Sequence, residues 1–251
     1  MAPPRLLTYS TGANSGIGYD LTAALVASPG NHVIMGCRNY ERGARALQQL
    51  HLQLHAGSLS LLEVDITDDQ SISLAVDKLT VEVGVVDVLI NNAGIVMRNF
   101  PDRRSEILDT MNTNSVGHLV FTEALVPLLQ RSTDPRIVNV SSVLGSINSR
   151  LDPSDPSYRV ASEAYRMSKA ALNMATACMY ANYKVWGAKV WAYCPGYAIT
   201  SLTGEGDRGR RESTGAVSST TSAAGIVDIV EGRHDGDVGR FLQIGGAILP
   251  W

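Results

Sequence analysis

Short runs of apolar and β-branched residues alternate along the chain with longer stretches in which apolar positions recur every three or four residues. The first pattern predicts buried strands and the second amphipathic helices. Strands are expected at residues 6–9, 32–36, 60–63, 86–90, 136–140, 189–193 and 240–244, with a helical pattern between consecutive members. Such an alternation closes through right-handed crossovers into a parallel sheet covered by helices on both faces. The predicted fold class is α/β, a doubly wound seven-stranded parallel sheet in a three-layer α/β/α sandwich. The longest helical pattern covers 161–186 and a second long one covers 103–129. Residues 148–157 and 201–221 break the pattern with Pro, Gly, Ser and Asp and are expected as loops. Loops over the carboxyl ends of parallel strands are where such sheets bind ligands, so both are candidate substrate walls.

Composition narrows the class without changing the architecture. A length of 251 residues with 45% hydrophobic content suits one domain with a sizeable core. A net charge of -3 is the wrong balance for a general nucleic-acid binder, and no nucleic-acid partner is expected. Cys37, Cys178 and Cys194 have no short paired spacing, which argues against a disulfide framework or a metal knuckle. No apolar run approaches the ~18 residues of a membrane span. Neither a membrane nor a metal is expected, and the expected compartment is the cytoplasm.

After the first strand, Thr11-Gly12-Ala13-Asn14-Ser15-Gly16-Ile17-Gly18 runs into a helical pattern. Glycines in such a turn allow backbone to approach a pyrophosphate, whose charge sits on the amino end of the helix. A tight turn without ligand is the plain alternative. The second strand ends in Gly36-Cys37-Arg38-Asn39, with no acid before Glu41. An arginine there suits a 2′-phosphate, and its charge-assisted bonds are worth roughly 1.5–3 kcal/mol. Arg38 therefore points to NADP(H) as the cofactor, an arginine that merely caps the strand or faces solvent being the plain alternative.

Tyr165 and Lys169 stand four apart and share a face of the longest helical pattern. A free phenol has a pKa near ~10, and an adjacent ammonium favours its ionised form. The spacing alone is common. Tyr158 has the same position relative to Ser162 and so lacks the lysine.

Further motifs give this pair a context. Asn91-Asn92-Ala93-Gly94 follows the fourth strand, Asn139-Val140-Ser141-Ser142 the fifth, and Pro195-Gly196-Tyr197-Ala198-Ile199-Thr200 the sixth. With the glycine turn, Asp65 after the third strand, Asn114 before Gly117 and the Tyr-x-x-x-Lys pair, this order resembles the short-chain dehydrogenases/reductases, with their Rossmann-type sheet. The resemblance covers residues 6–244.

It implies a single dinucleotide-binding catalytic domain over 1–251, with substrate-pocket loops near 143–157 and 201–221. It also implies Tyr165 as proton donor to a carbonyl, Lys169 as the group that lowers the Tyr165 pKa and holds the nicotinamide ribose, Ser142 as holder of the substrate oxygen, and Asn114 as anchor of a water linking Lys169 to solvent. Cofactor contacts are implied for Gly12, Asn14, Ser15, Gly16, Ile17, Gly18, Arg38, Asn39, Asp65, Ile66, Asn92, Ala93, Gly94, Pro195, Gly196, Ala198 and Thr200, besides Tyr165 and Lys169. Substrate contacts are expected from Val143, Leu144 and Tyr197.

The chain departs from the common pattern twice. The stretch between Ser142 and Tyr165 is long, as in carbonyl reductase-like members, and such an insertion goes with altered subunit association, leaving a homo-oligomer open. Tyr9-Ser10 also stands where a Val or Ile usually precedes the glycine turn.

The remaining polar groups are read more plainly. His234-Asp235-Gly236-Asp237 is expected as a turn, Asp207-Arg208-Gly209-Arg210-Arg211 as a solvated loop, His118 as packing or capping, and Trp186 and Trp191 as core or interface. The expected activity is NADPH-dependent reduction of a medium-sized hydrophobic ketone or aldehyde, with residues 95–101, 143–157 and 201–221 choosing the substrate. Two alternatives stand beside it: a non-redox enzyme on the same scaffold, and an NADP(H)-binding regulator.

Overall fold

The computed structural model describes residues 7–53, 56–96 and 100–251. Leu6, expected to open the first strand, and residues 97–99 of the expected substrate segment 95–101 lie outside the described residues. The order along the chain is β1 (Leu7–Thr11), α1 (Gly16–Val26), β2 (His32–Cys37), α2 (Tyr40–His51), β3 (Ser58–Glu63), α3 (Asp69–Glu82), β4 (Val88–Asn91), α4 (Arg103–Met111) and α5 (Gly117–Leu129). It continues with β5 (Arg136–Val140), α6 (Ile147–Leu151), α7 (Glu163–Tyr183), β6 (Lys189–Cys194), α8 (Arg208–Ser213), α9 (Ser219–Val230) and β7 (Phe241–Gln243).

All seven strands pair in parallel in the order β3-β2-β1-β4-β5-β6-β7. Successive strand residues face opposite sides, and here both sides are covered. Leu89, Ile137 and Val190 pack with Ile72, Leu79, Phe121 and Leu125 of α3 and α5. Their neighbours Val88, Val138 and Trp191 pack on the other face with Leu21 and Leu25 of α1 and Ile226 and Ile229 of α9. That two-sided burial is why a central strand such as β4 is largely apolar rather than alternating, while β1 buries Thr8, Ser10 and Thr11 beside its apolar residues. The strand order reverses between β1 and β4, which opens a crevice beyond their carboxyl ends.

Three expectations are corrected. The 103–129 pattern is not one continuous α-helix, because Asn112–Val116 forms a π turn between α4 and α5. A Cβ on Gly117 would lie 2.3 Å from Ile66 O, so the chain passes this point against the end of β3's following loop, and the widened turn accommodates the approach. The 148–157 stretch is not all loop: α6 forms at its start, capped by Ser146 Oγ accepting from Ser149 N at 3.1 Å. Within 201–221, α8 forms, and its Arg211 is buried rather than solvated. His234 to Asp237 do form a turn, where Asp235 pairs with Arg136 at 2.6 Å. Among the described residues, no helix is long and apolar enough to cross a membrane.

Candidate active site and cofactor cleft

A cleft of about 400 Å³ runs across the switch point from Arg38 and Arg42 to Tyr165 and Lys169. Its floor is the glycine turn. Gly12 adopts φ +64°, and a Cβ there would lie 3.0 Å from Ala93 Cα; at Gly18 it would lie 2.4 Å from Gly12 O. Thr11 Oγ1 accepts from both Asn92 N and Ala93 N at 2.9 Å, and Asn92 Nδ2 donates to Thr11 O at 2.9 Å. These bonds lock the β4 end to the turn. Ser15 starts α1 without a side-chain cap, so first-turn N–H groups face the cleft unspent.

At the outer end, Arg38 Nε lies 3.9 Å from Asp65 Oδ2, with the Arg38 side chain largely exposed. Asp65 Oδ1 accepts from Thr67 N at 2.9 Å and Thr67 Oγ1 at 2.6 Å, which fixes the carboxylate. Arg42, not singled out in the sequence, lines the same end; its spacing of four from Arg38 on the opening turn of α2 was the available signal.

At the inner end, α7 carries Tyr165 and Lys169. Lys169 is buried and donates to Val140 O at 2.8 Å, and its Nζ lies 5.7 Å from the Tyr165 ring centroid. Burial pulls the lysine pKa down to about 8. Tyr165 moves the other way. Burial, with Cys194 beside it, pushes the phenol above its ordinary range, and the opposing influences are the Ser142 hydrogen bond and the Arg211 charge. Lys169, its ammonium turned to Val140 O, is not among those influences.

Ser142 reaches Tyr165 from the end of β5 while its Oγ also accepts from Leu144 N at 3.2 Å, starting the turn Val143–Gly145. Asn114 sits in the π turn, fully buried. Its Nδ2 donates to Ile95 O at 2.9 Å and Ser168 Oγ at 3.0 Å, and its Oδ1 accepts from Ile95 N at 2.8 Å. That leaves one Oδ1 lone pair as the side chain's remaining site for a water. Nearby, His118 donates from Nε2 to Ala93 O at 2.7 Å, and burial holds its pKa down at about 3, so it is neutral.

The cleft wall brings together Gly12, Asn14, Ser15, Gly16, Ile17, Arg38, Asp65, Ile66, Asn92, Ala93, Gly94, Tyr165, Lys169, Pro195 and Thr200. Ser142, Leu144 and the other expected contacts are outside that lining. Gly18 serves close packing under the turn, and Asn39 caps α2 by accepting from Arg42 N at 2.9 Å. Gly196 turns the chain at φ +75°, and Ala198 is buried and bridged to Val217. Val143 packs against Ala192, Cys194 and Phe241, which draws it into the core. Tyr197 is half-exposed beneath the Arg211 guanidinium, 5.3 Å from its ring centroid. Arg211 had no sequence signal to distinguish it from Arg208 and Arg210.

The cradle fits a dinucleotide: glycines where a Cβ would fill the turn, open helix N–H groups for pyrophosphate, and two guanidinium groups at the ribose end.

The family description "short chain dehydrogenase" matches residues 8–211. The short-chain dehydrogenase/reductase eupG of Phoma sp is 32% identical, with 93% of each chain covered. The (+)-neomenthol dehydrogenase of Capsicum annuum is 26% identical, covering 92% of this chain and 93% of its own. The structure described as NADPH-bound carbonyl reductase from chicken fatty liver superposes with a TM-score of 0.82 at 27% identity, over 99% of each chain. Members of this group are oxidoreductases that use NAD(P)H. The match along most of the chain, on this sheet and around this cleft, makes the protein a member of the short-chain dehydrogenase/reductase family.

Proposed function

We propose that the protein reduces a medium-sized hydrophobic ketone or aldehyde with NADPH, its chain acting as one catalytic domain. The observation that carries this reading is a cleft with Tyr165 and Lys169 at its inner end and Arg38 with Arg42 at its outer end, Ser142 being within hydrogen-bond reach of Tyr165. Arg38 and Arg42 would hold the 2′-phosphate, the first turn of α1 the pyrophosphate, and Lys169 the nicotinamide ribose. Bound NADPH would supply the hydride that reaches the carbonyl carbon. Tyr165, kept a phenol at neutral pH by burial, donates its proton to the carbonyl oxygen as negative charge develops there. Ser142 hydrogen-bonds the same oxygen. Lys169, with Nζ held by one bond to Val140 O, keeps two further hydrogens for the ribose and cleft water. Leu144, Ile95 and Tyr197 give the substrate end its apolar character, and the neomenthol dehydrogenase relative suggests a cyclic ketone as first probe.

The test is NADPH oxidation in the presence of menthone, cyclohexanone and other ketones, with the product identified. Alcohol formed in step with cofactor consumed supports the reading. Tight NADPH binding without turnover across a broad ketone panel contradicts it. The cofactor assignment is checked in parallel: Arg38→Asp should weaken NADPH by about ten- to a hundredfold and leave NADH little changed, whereas equal losses count against it.

A further inference from the structure

Arg166, the residue after Tyr165, is a buried cation that the proposed chemistry does not use. Its Nε donates to Val160 O at 3.0 Å and its Nη1 to Leu144 O at 3.2 Å, while Nη2 donates to Ser157 O. Among the described residues, no carboxylate comes within ion-pair distance of it; the charges it feels are Arg150, Asp155 and Glu163. Burying an unpaired guanidinium is costly, so the bonds that satisfy it hold their acceptors firmly.

Those acceptors belong to separate pieces of the substrate end. Leu144 lies in the turn that Ser142 starts, Ser157 closes the insertion, and Val160 leads into α7. A second contact presses the same turn on the helix: a Cβ on Gly145 would lie 2.6 Å from the Lys169 carbonyl carbon. The turn is thus fixed against α7 at two points, one near each end of the Tyr165 to Lys169 span. A planar fork can reach three carbonyls in different directions, which a lysine ammonium on a flexible stem does poorly.

We propose that Arg166 is a positioning residue that latches the insertion and the Ser142-bearing turn to the catalytic helix, and so sets the size of ketone the site accepts. The inference rests on the reductase reading, and its test separates the two.

Arg166→Met and Arg166→Lys are compared with wild type using NADPH with menthone and with cyclohexanone. Both variants should raise KM for menthone by roughly tenfold or more with a smaller change in kcat, and alter the menthone-to-cyclohexanone ratio of kcat/KM at least about fivefold. NADPH affinity by fluorescence titration should stay within about twofold. Arg166→Lys, the milder change, keeps the test available if Arg166→Met does not fold. An unchanged ratio, or equal losses for both ketones accompanied by loss of NADPH affinity, overturns the proposal. If wild type reduces neither ketone, the pair is replaced by a large and a small ketone that it does reduce; if it reduces none of a broad panel, the reductase reading fails and the latch is judged by hydrogen exchange. Loss of protection confined to 144–146 and 157–160 in the variants supports it, and unchanged protection there overturns it.

Discussion

Lys169 and Tyr165 face each other across 5.7 Å with their pKa values displaced in opposite directions by one cause, burial. Burial disfavours whichever form is charged, so the lysine is pushed toward neutrality and the phenol is kept protonated. The consequence for stability has a definite sign. Lys169 has a folded pKa of about 8, below the ~10.4 of an unfolded lysine. Between those values the unfolded chain binds the extra proton, so stability rises with pH, and the cost of burying the ammonium is fully present below about 8. Chemical denaturation of wild type and Lys169→Met should therefore differ in a pH-dependent way, with wild type gaining on the variant as pH rises from 8 toward 10. A difference that stays flat over that range would mean that Lys169 is not buried as an ammonium. The pairing of Tyr165 with Lys169 was readable from spacing and motif order. The direction of the Tyr165 shift was not, because it depends on how completely β6, Ser142 and the turn after β5 enclose the ring.

Elements differ in how plainly the chain announces them. The strands could be read because a sheet covered on both faces favours runs of consecutive apolar residues, as in Val88-Leu89-Ile90, and their ends were off by only a residue or two. The π turn at Asn112–Val116 was hidden inside a helical period that continues on both sides of it. Gly117, which follows it, packs against Ile66 O from elsewhere in the chain, which leaves no room for a side chain there. Gly117→Ala should cost about 1–3 kcal/mol through overpacking. At this chain length each kcal/mol lowers Tm by roughly 2–4 °C. Because Asn114 and Ile66 move with that contact, thermal melts should also show a smaller NADPH-induced rise in Tm than in wild type. A variant with wild-type Tm and wild-type stabilisation by NADPH would show that the close approach has no structural consequence. The buried arginines were the least legible group. Arg166 finds its acceptors on Leu144, Ser157 and Val160, and Arg211 reaches Ala198 besides the Asp207 carboxylate; the carbonyl partners are backbone groups, which leave no trace in side-chain pattern.

Across the whole molecule the two ends of the sheet do different work. At the amino ends of β5 and β6, Arg136 and Lys189 pair with Asp134 and Asp235 at 2.6–2.7 Å, tying the strands to the last turn before β7. At the carboxyl ends the switch between β1 and β4 leaves the cleft, with β2 and β3 supplying its ribose end and β5, β6 and α7 its reacting end. Such a division lets the glycine turn and the Tyr165 hydroxyl be held by separate elements, so one can be altered without the other. The most direct test of the account uses that separation. Tyr165→Phe removes one oxygen from the reacting end and nothing from the glycine turn or from Arg38 and Arg42. Steady-state reduction of a ketone that wild type accepts, with NADPH affinity measured on the same preparations, should show kcat lower by ~10²–10⁴-fold and binding nearly unchanged. Near-wild-type reduction by the phenylalanine variant would contradict the assignment of Tyr165 as the proton donor.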